Sequence, residues 1–342
     1  MTQTLLNVAV IGCGYWGPNL IRNFNSLAGC RVKTLCDNSQ DRLDYMKTMY
    51  REVTTTTDYQ QIINDPDIQA VVIAAPVHLH YEMAKKALDA GKHVLVEKPM
   101  ARSTAECTDL IQLAAAKKLI LMVGHTFVYS GPVRKIREIV EAGDLGKILY
   151  MSSRRLNLGL FQKDINVAWD LAPHDLSIMF YILQEDALTV NCVGSSNITK
   201  GIEDVTNLSI TLKHNTFATI QSSWLDPNKV REITFVGTKR MLVYNDVEPV
   251  EKIKVYDKGV DTPPGYNSFA EFVYAYRNGD IYAPSLKMSE PLKVEAQHFL
   301  DCILTGNKPE SSGEEGLRVV QVLEAASESL RQQGAQVAIK SS

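Results

Sequence analysis

The stretch VAVIGCGYWGPNLIRNF, residues 8 to 24, sets Gly12, Gly14 and Gly17 in a G-x-G-x-x-G spacing directly after a β-branched apolar run. A glycine turn between strand and helix is common, so the spacing alone suits a structural turn as well as a phosphate cradle. Its surroundings narrow the choice. The loop follows a strand, opens a helix whose first turn holds Pro18, and precedes a second strand that ends in the acidic Asp37. That is the arrangement of a dinucleotide-binding βαβ unit. Gly12 makes the tight turn, Gly14 lets the backbone approach a pyrophosphate, and Gly17 lets helix and strand pack closely. The helix N-terminus adds unpaired N–H donors and positive dipole. Asp37 can accept from both hydroxyls of an adenosine ribose and repels a 2′-phosphate, which favours NAD over NADP. Arg42, in the following NSQDR, keeps NADP use open. The bland alternative for Asp37 is a solvated turn aspartate. Tyr15, Trp16 and Asn38 flank these positions and complete the expected cofactor contacts of this region.

Through residue 125 short apolar runs alternate with helical stretches. NVAVIG (7 to 12), CRVKTLCD (30 to 37), QAVVIAAP (69 to 76), KHVLVEKP (92 to 99) and LILMVGH (119 to 125) read as buried strands, with helices such as STAECTDLIQLAAAKK among them. The alternation predicts an α/β fold of right-handed βαβ units, a Rossmann doubly wound parallel sheet. After residue 147 the runs lengthen and alternate apolar with polar, as in VTNLSITLKHNTFATIQSSWL and REITFVGTKRMLVYN, with turn signals at KHN and VGTK. These predict an α+β domain with a large open, mostly antiparallel sheet, a helix (PHDLSIMFYIL) inserted early and two closing helices that end on glycines. The expected domains are 1–125, binding NAD, and 126–342, for substrate binding and oligomerisation.

Charge and cysteine usage exclude several classes. With 36 basic and 39 acidic residues the net charge is -3, which leaves no excess positive charge for a nucleic-acid backbone. The N-terminal apolar run reaches the glycine loop before it could form a signal-peptide core, and no run approaches the roughly 18 apolar residues of a membrane span. Cys13, Cys30, Cys36, Cys107, Cys192 and Cys302 show no ligand spacing, so a reduced, cytoplasmic protein is expected.

In an open parallel sheet, ligands bind beyond the carboxyl ends of the strands. There AAPVHLH offers Ala75, Pro76, His78 and His80, and EKPM offers Glu97 and Lys98, all read as cofactor contacts. Pro99 pushes Lys98 into an extended conformation at the strand end, although a surface lysine without a role would look the same. His78 and His80 alternate faces of an extended chain and have no third ligand nearby, so no metal is expected. In AWDLAPHDLSIMFYIL, Pro173 reads as the first helical position, which puts Asp170 just before the helix and His174 in its first turn, where an imidazolium is disfavoured. Four residues apart, the two can share a face. Helix capping for Asp170 and a satisfied core histidine for His174 are the structural alternatives.

Taken together, GCGYWG, EKP and the D-x-x-x-H of Asp170 and His174, with LMVGHTFVYSGPVRKIREIVEAGDLGKI and EPLKVEAQHFLDCILTGNKP, make a specific ordered set. Over nearly its whole length the chain resembles the glucose-fructose oxidoreductase and inositol dehydrogenase family of NAD(P)-dependent sugar and polyol oxidoreductases. The resemblance implies cofactor across the parallel sheet and substrate between it and the open sheet. It makes Lys98, Asp170 and His174 catalytic. His174 would exchange the hydroxyl proton, Lys98 would donate to the reacting oxygen, and Asp170 would orient His174 or a neighbouring hydroxyl. Many members carry a glycine-rich run before this segment, whereas this chain has KDINVAWD. Trp169, also read as a cofactor contact, would therefore reshape that wall of the pocket.

His125, Tyr129, Arg154, Arg155 and Asn157, with Lys98 and His174, are the expected substrate contacts. Paired arginines suit a phosphate or carboxylate. With the likeness to members acting in surface-polysaccharide pathways, they point to a nucleotide-activated sugar, oxidised at C3. Consecutive strand residues face opposite ways, so at most one arginine reaches the site. A free polyol or monosaccharide dehydrogenase is the first alternative, and a cofactor-bound regulatory protein or a redox-recycling lyase or hydrolase are the others. Apolar residues on both faces of VTNLSITLKH and FATIQSSWL predict that one face meets a second subunit, in a homodimer or homotetramer.

Overall fold

The computed structural model describes residues 5–261 and 275–340. Its first part alternates strand and helix as β1 (Leu6–Ile11), α1 (Gly17–Asn25), β2 (Cys30–Cys36), α2 (Gln40–Met49), β3 (Thr54–Thr56), α3 (Tyr59–Asn64), β4 (Ala70–Ile73), α4 (Val77–Asp89), β5 (His93–Glu97), α5 (Thr104–Lys117) and β6 (Leu121–Gly124). The six strands form one sheet in the order β3-β2-β1-β4-β5-β6, and every pairing is parallel. The predicted doubly wound parallel sheet is therefore present. Helices cover both faces of such a sheet, which is why β1 and β4 read as unbroken apolar runs; Val8, Val10, Val71 and Val72 are all fully buried. The chain winds from β1 outward to β3 and then returns to β4 on the other side of β1. The carboxyl ends of β1 and β4 thus flank the point where strand order reverses, the place where such sheets bind ligands. β3, the short third strand, is made of three threonines and carries no apolar periodicity of its own.

The next elements are α6 (Gly131–Glu141), β7 (Ile148–Leu156), α7 (Val167–Leu183), β8 (Ala187–Ser195), β9 (Val205–Leu212), β10 (Phe217–Ser223), β11 (Val230–Gly237), β12 (Met241–Asn245), β13 (Ile253–Asp261) and β14 (Ala275–Tyr282). After α8 (Pro291–Thr305) and α9 (Gly313–Arg331), β15 (Val337–Ala338) completes a nine-stranded sheet in the order β14-β13-β12-β11-β7-β10-β9-β8-β15. Only β7 and β10 run parallel; the other pairings are antiparallel. The predicted alternation holds on β9 to β13: Leu208, Ile210, Ala218, Ile220, Ile233, Phe235, Leu242 and Val255 are buried on one face. The expected KHN and VGTK turns join β9 to β10 and β11 to β12.

Two expectations are corrected. The helix carrying Asp170 and His174 starts at Val167, not at Pro173, because Asn166 caps it by accepting from the Trp169 N–H at 3.2 Å. Pro173 lies inside α7, where its ring offers no N–H to the Trp169 carbonyl. The other concerns the domain limits. The chain divides into one compact unit of Met1–Ser130 with Ser289–Gln321 and another of Gly131–Met288 with Val322–Ser342, so 126–342 is not one body. Ser289–Gln321 returns to the first unit for a packing reason. Phe299 of α8 is fully buried with its ring edge on Phe24 of α1 at 6.3 Å, and such burial contributes about 1.5–3 kcal/mol. Asn23 donates to Glu290 at 3.0 Å and Thr126 donates to Glu295 at 2.9 Å across the same seam.

Candidate active site

In the first unit the glycine loop is built for close approach. Gly12 has φ +92°, and a Cβ there would lie 2.5 Å from the Ala74 carbonyl oxygen at the end of β4. A Cβ on Gly17 would lie 1.9 Å from the Gly12 carbonyl oxygen, so only glycine lets α1 start so near β1. At Gly14 the space is bounded only by the Arg42 guanidinium, 3.3 Å away. Among the described residues no side chain caps α1, no acid stands in its first turn, and Pro18 lies at its start. The loop therefore presents free backbone donors at a helix N-terminus, the features a pyrophosphate requires, and the residues present fit NAD.

Asp37 ends β2 and is buried, with Oδ2 accepting from the Cys13 N–H at 2.7 Å and Oδ1 from the Ser39 N–H at 2.8 Å. It pins the glycine loop to the second strand, and each carboxylate oxygen keeps a lone pair for a ribose hydroxyl. Arg42 Nη1 stands 3.9 Å from Asp37 Oδ2. Tyr15 is 87% exposed at the loop tip and Asn38 is exposed beside Asp37. Trp16 donates its indole N–H to Glu97 Oε1 at 2.7 Å, tying the glycine loop to the end of β5.

Beyond β4, Pro76 and His78 are exposed and Ala75 is half-buried. His80 is different: its ring is buried, with Nδ1 2.9 Å from the Pro99 carbonyl oxygen and Nε2 2.8 Å from that of Ala75. Burial lowers the pKa of this imidazole. His80 is read from the sequence as a cofactor contact; its placement instead makes it the brace between the loops after β4 and β5. Lys98 is half-buried at the end of β5, followed by a cis peptide to Pro99, and its backbone N–H donates to Glu97 Oε2 at 3.3 Å. His125 follows β6. It is 1% exposed, its ring nitrogens have no hydrogen-bond partner among the described residues, and burial and then the nearby Lys98 charge push its pKa down to about 3. Tyr129 is also buried, and it exchanges hydrogen bonds with Ser311. That placement takes the Tyr129 hydroxyl away from a substrate and uses it to fasten the returning C-terminal segment.

In the second unit, Asp170 and His174 are both half-exposed on α7, four residues apart and so on one face. Asp170 lies in the first helical turn, where the helix field acts; His174 is a turn farther in. Trp224, at the end of β10 and 1% exposed, donates its indole N–H to Asp170 Oδ2 at 3.0 Å. The same tryptophan backs the segment after β7. The Gly159 N–H donates to the Trp224 carbonyl at 2.9 Å, and the Phe161 ring meets the indole edge at 5.7 Å. Asn157 is half-buried beside Gly159. Trp169 is half-buried, and its indole N–H donates to Ser327 of α9 at 2.8 Å. The arginine pair splits as strand geometry requires. Arg154 is exposed and pairs with Glu232 at 2.9 Å, whereas Arg155 is buried in a two-pronged pair with Asp175 of α7, both contacts 2.9 Å. Arg155, a substrate candidate by sequence, is thus spent on fixing α7 to β7.

Sequence reasoning missed Trp224, Glu295 and Thr126. QSSWL marked a strand end but not which carboxylate its indole would reach, and Glu295 sits in a helix that sequence alone assigned to the other domain.

The family model described as the oxidoreductase family, NAD-binding Rossmann fold, matches residues 6–125, and the GFO/IDH/MocA C-terminal domain model matches residues 133–243. The chain is 25% identical over 345 residues to myo-inositol 2-dehydrogenase of Thermotoga maritima, covering 96% of this chain and 97% of that protein. Among solved structures it is similar to levoglucosan dehydrogenase in complex with NADH (TM-score 0.85, 22% identity, 99% and 100% of the two chains). It is similar too to UDP-N-acetylglucosamine 3-dehydrogenase of Acidithiobacillus ferrooxidans (TM-score 0.79, 21% identity, 96% and 98%). At these identities the structural likenesses establish the fold. With the glycine cradle, the Asp37 acceptor and both family models in register, the chain belongs to the GFO/IDH/MocA oxidoreductase family and its first unit is an NAD-binding Rossmann domain.

Proposed function

We propose that the protein is an NAD-dependent dehydrogenase that oxidises or reduces one carbon of a sugar, with a nucleotide-activated sugar as substrate and C3 as the reacting carbon. The observation that carries the reading is the Asp170 and His174 pair on one face of α7, with the Asp170 carboxylate held by Trp224. Bound NAD supplies the hydride exchange. The residues of the chain supply orientation and proton transfer. His174 takes the proton from the substrate hydroxyl during oxidation and returns it during reduction. The Lys98 ammonium donates to the reacting oxygen and stabilises its developing negative charge. Asp170, its Oδ2 fixed by the indole N–H, presents the remaining oxygen to His174 or to a neighbouring sugar hydroxyl.

Likeness over the full chain to a UDP-N-acetylglucosamine 3-dehydrogenase supports the nucleotide-sugar reading, and Arg154 remains the exposed cation of the expected pair. Likeness to a myo-inositol 2-dehydrogenase supports a free polyol as the second reading. A panel of UDP-sugars against free sugars and inositols, with NADH formation followed by absorbance, separates them. UDP-N-acetylhexosamines are expected to give a kcat/KM at least about 100-fold above any free polyol, the span of about 3 kcal/mol of differential binding; preference for a free polyol overturns the first reading. All six cysteines are free and buried, which supports a reducing, cytoplasmic setting. No helix among the described residues is long and apolar enough to cross a membrane.

The same reading includes a second copy of this chain on the open face of the large sheet. Register places Phe217 beside Tyr150, Tyr150 beside Val236, Val236 beside Met241, Met241 beside Tyr256 and Tyr256 beside Ile281. This row crosses six strands, and Tyr150, Phe217 and Ile281 in it are exposed at 42%, 43% and 54%. Tyr150→Lys with Phe217→Lys is expected to shift the sedimentation coefficient from that of a dimer or tetramer to that of a monomer. A wild-type protein sedimenting as a monomer at micromolar concentration removes this part of the reading.

A further inference from the structure

The carboxyl ends of β5 and β6 bury two carboxyl groups whose joint presence is not explained by packing. Glu97 closes β5 and Glu295 comes from α8, and both are buried. Their surroundings are unequal. Glu97 uses both oxygens, Oε1 for the Trp16 indole N–H at 2.7 Å and Oε2 for the Lys98 backbone N–H at 3.3 Å, and Lys98 lies next to it in the chain. Gly124 of β6 lies directly beneath this carboxyl group: a Cβ there would stand 2.9 Å from Glu97 Cδ. Glu295 accepts only from Thr126 Oγ1 at 2.9 Å, and its Oε1 is buried with no partner among the described residues. An ionised carboxylate left with an unmet oxygen in a dry site is costly, and two anions in mutual range cost more.

We propose that Glu97 and Glu295 form a buried acid pair in which Glu295 keeps its proton, so that Glu97 is the member that ionises and, once ionised, positions Trp16 and the glycine loop for NAD. The charged group acting on Glu97 is Lys98; Glu97 in turn acts on Glu295, and Glu295 on the Tyr129 phenol. Burial raises both acids. Glu97 moves to about 7, partly offset by Lys98 and by its two donors, and Glu295 goes well above the carboxylate range, with the Glu97 charge adding to burial. The signs then separate two observables. Because the folded-state pKa of Glu97 is raised, folding is favoured below the ordinary carboxylate pKa, and that contribution is lost as pH rises through about 7. The Trp16 tie runs the other way. It strengthens as Glu97 ionises, so the loop is set for NAD on the alkaline side.

Tryptophan emission of the NAD-free protein, taken as wild type minus Trp16→Phe, tests the pair. The difference is expected to titrate with a midpoint near 7, to lose that transition in Glu97→Gln, and to keep the midpoint in Glu295→Gln, which replaces a neutral acid by a neutral amide. Calorimetry should show NAD affinity rising about fivefold from pH 6 to pH 8 in wild type and Glu295→Gln, the effect of a one-unit pKa displacement on binding, and staying flat in Glu97→Gln. If Glu97→Gln does not fold, the wild-type midpoint and the Glu295→Gln comparison still decide. A wild-type midpoint below 5 overturns the proposal, as does a transition that survives in Glu97→Gln. A midpoint moved by more than one unit in Glu295→Gln does so too, because Glu295 would then carry charge.

Discussion

His174→Ala and Lys98→Met lower kcat by about 10²- to 10⁴-fold, the loss that removal of a positioned proton-transfer group typically causes, while both variants still bind NAD, His174→Ala with wild-type affinity. The structure gives reasons for expecting a clean effect. His174 is half-exposed on α7, and the Trp224 to Asp170 hydrogen bond at 3.0 Å does not involve it, so the carboxylate stays in place when the imidazole is removed. In Lys98→Met only the side chain changes, and the backbone N–H still donates to Glu97 Oε2, which keeps the end of β5 and its tie to Trp16. Steady-state rates together with calorimetric NAD binding check both variants. The loss should fall on kcat more than on KM, because both groups act on the reacting oxygen and its proton rather than on the rest of the substrate. Wild-type rates in both variants overturn the assignment of these residues. A wild-type protein that binds NAD and turns over no sugar favours the regulatory alternative, and product formed without net NADH favours the redox-recycling one.

The parts of the fold legible in the sequence were those with strong periodicity or forced backbone geometry. Gly12 and Gly17 were readable because only a residue without Cβ fits 2.5 Å from one carbonyl and 1.9 Å from another. The parallel sheet was readable from unbroken apolar runs, and the opposite fates of Arg154 and Arg155 from strand alternation. What stayed hidden depends on competition between local caps and on long-range pairing. Pro173 looked like a helix start because proline is common there, yet Asn166 supplied a stronger cap earlier, and the helix runs through the proline. Tyr129 and His80 looked like ligand contacts from their position after strands, but Ser311 and the Ala75 and Pro99 carbonyls claim them. The attachment of Glu295 to the first unit could not be read because α8 follows β7 to β14 of the second sheet in the chain and returns through contacts such as Phe299 on Phe24.

Arg155→Met destabilises the protein by about 3–5 kcal/mol, the cost of leaving a buried charge without its partner. The side chains of Arg155 and Asp175 are 5% and 2% exposed, so neither ion can be rehydrated without opening the contact between α7 and β7. Against a total stability of about 5–15 kcal/mol for a typical domain, that loss is large enough to read as a fall in urea midpoint at unchanged slope. The double replacement Arg155→Met with Asp175→Leu should recover most of it, because exchanging both ions for apolar groups of similar volume removes the desolvation cost along with the attraction. The double variant also separates structure from recognition. If Arg155 only fixes α7, the stable double variant keeps the wild-type KM for sugar. A KM raised tenfold or more in that stable protein would return Arg155 to the substrate, because a lost charge-assisted hydrogen bond to a ligand is worth about 1.5–3 kcal/mol.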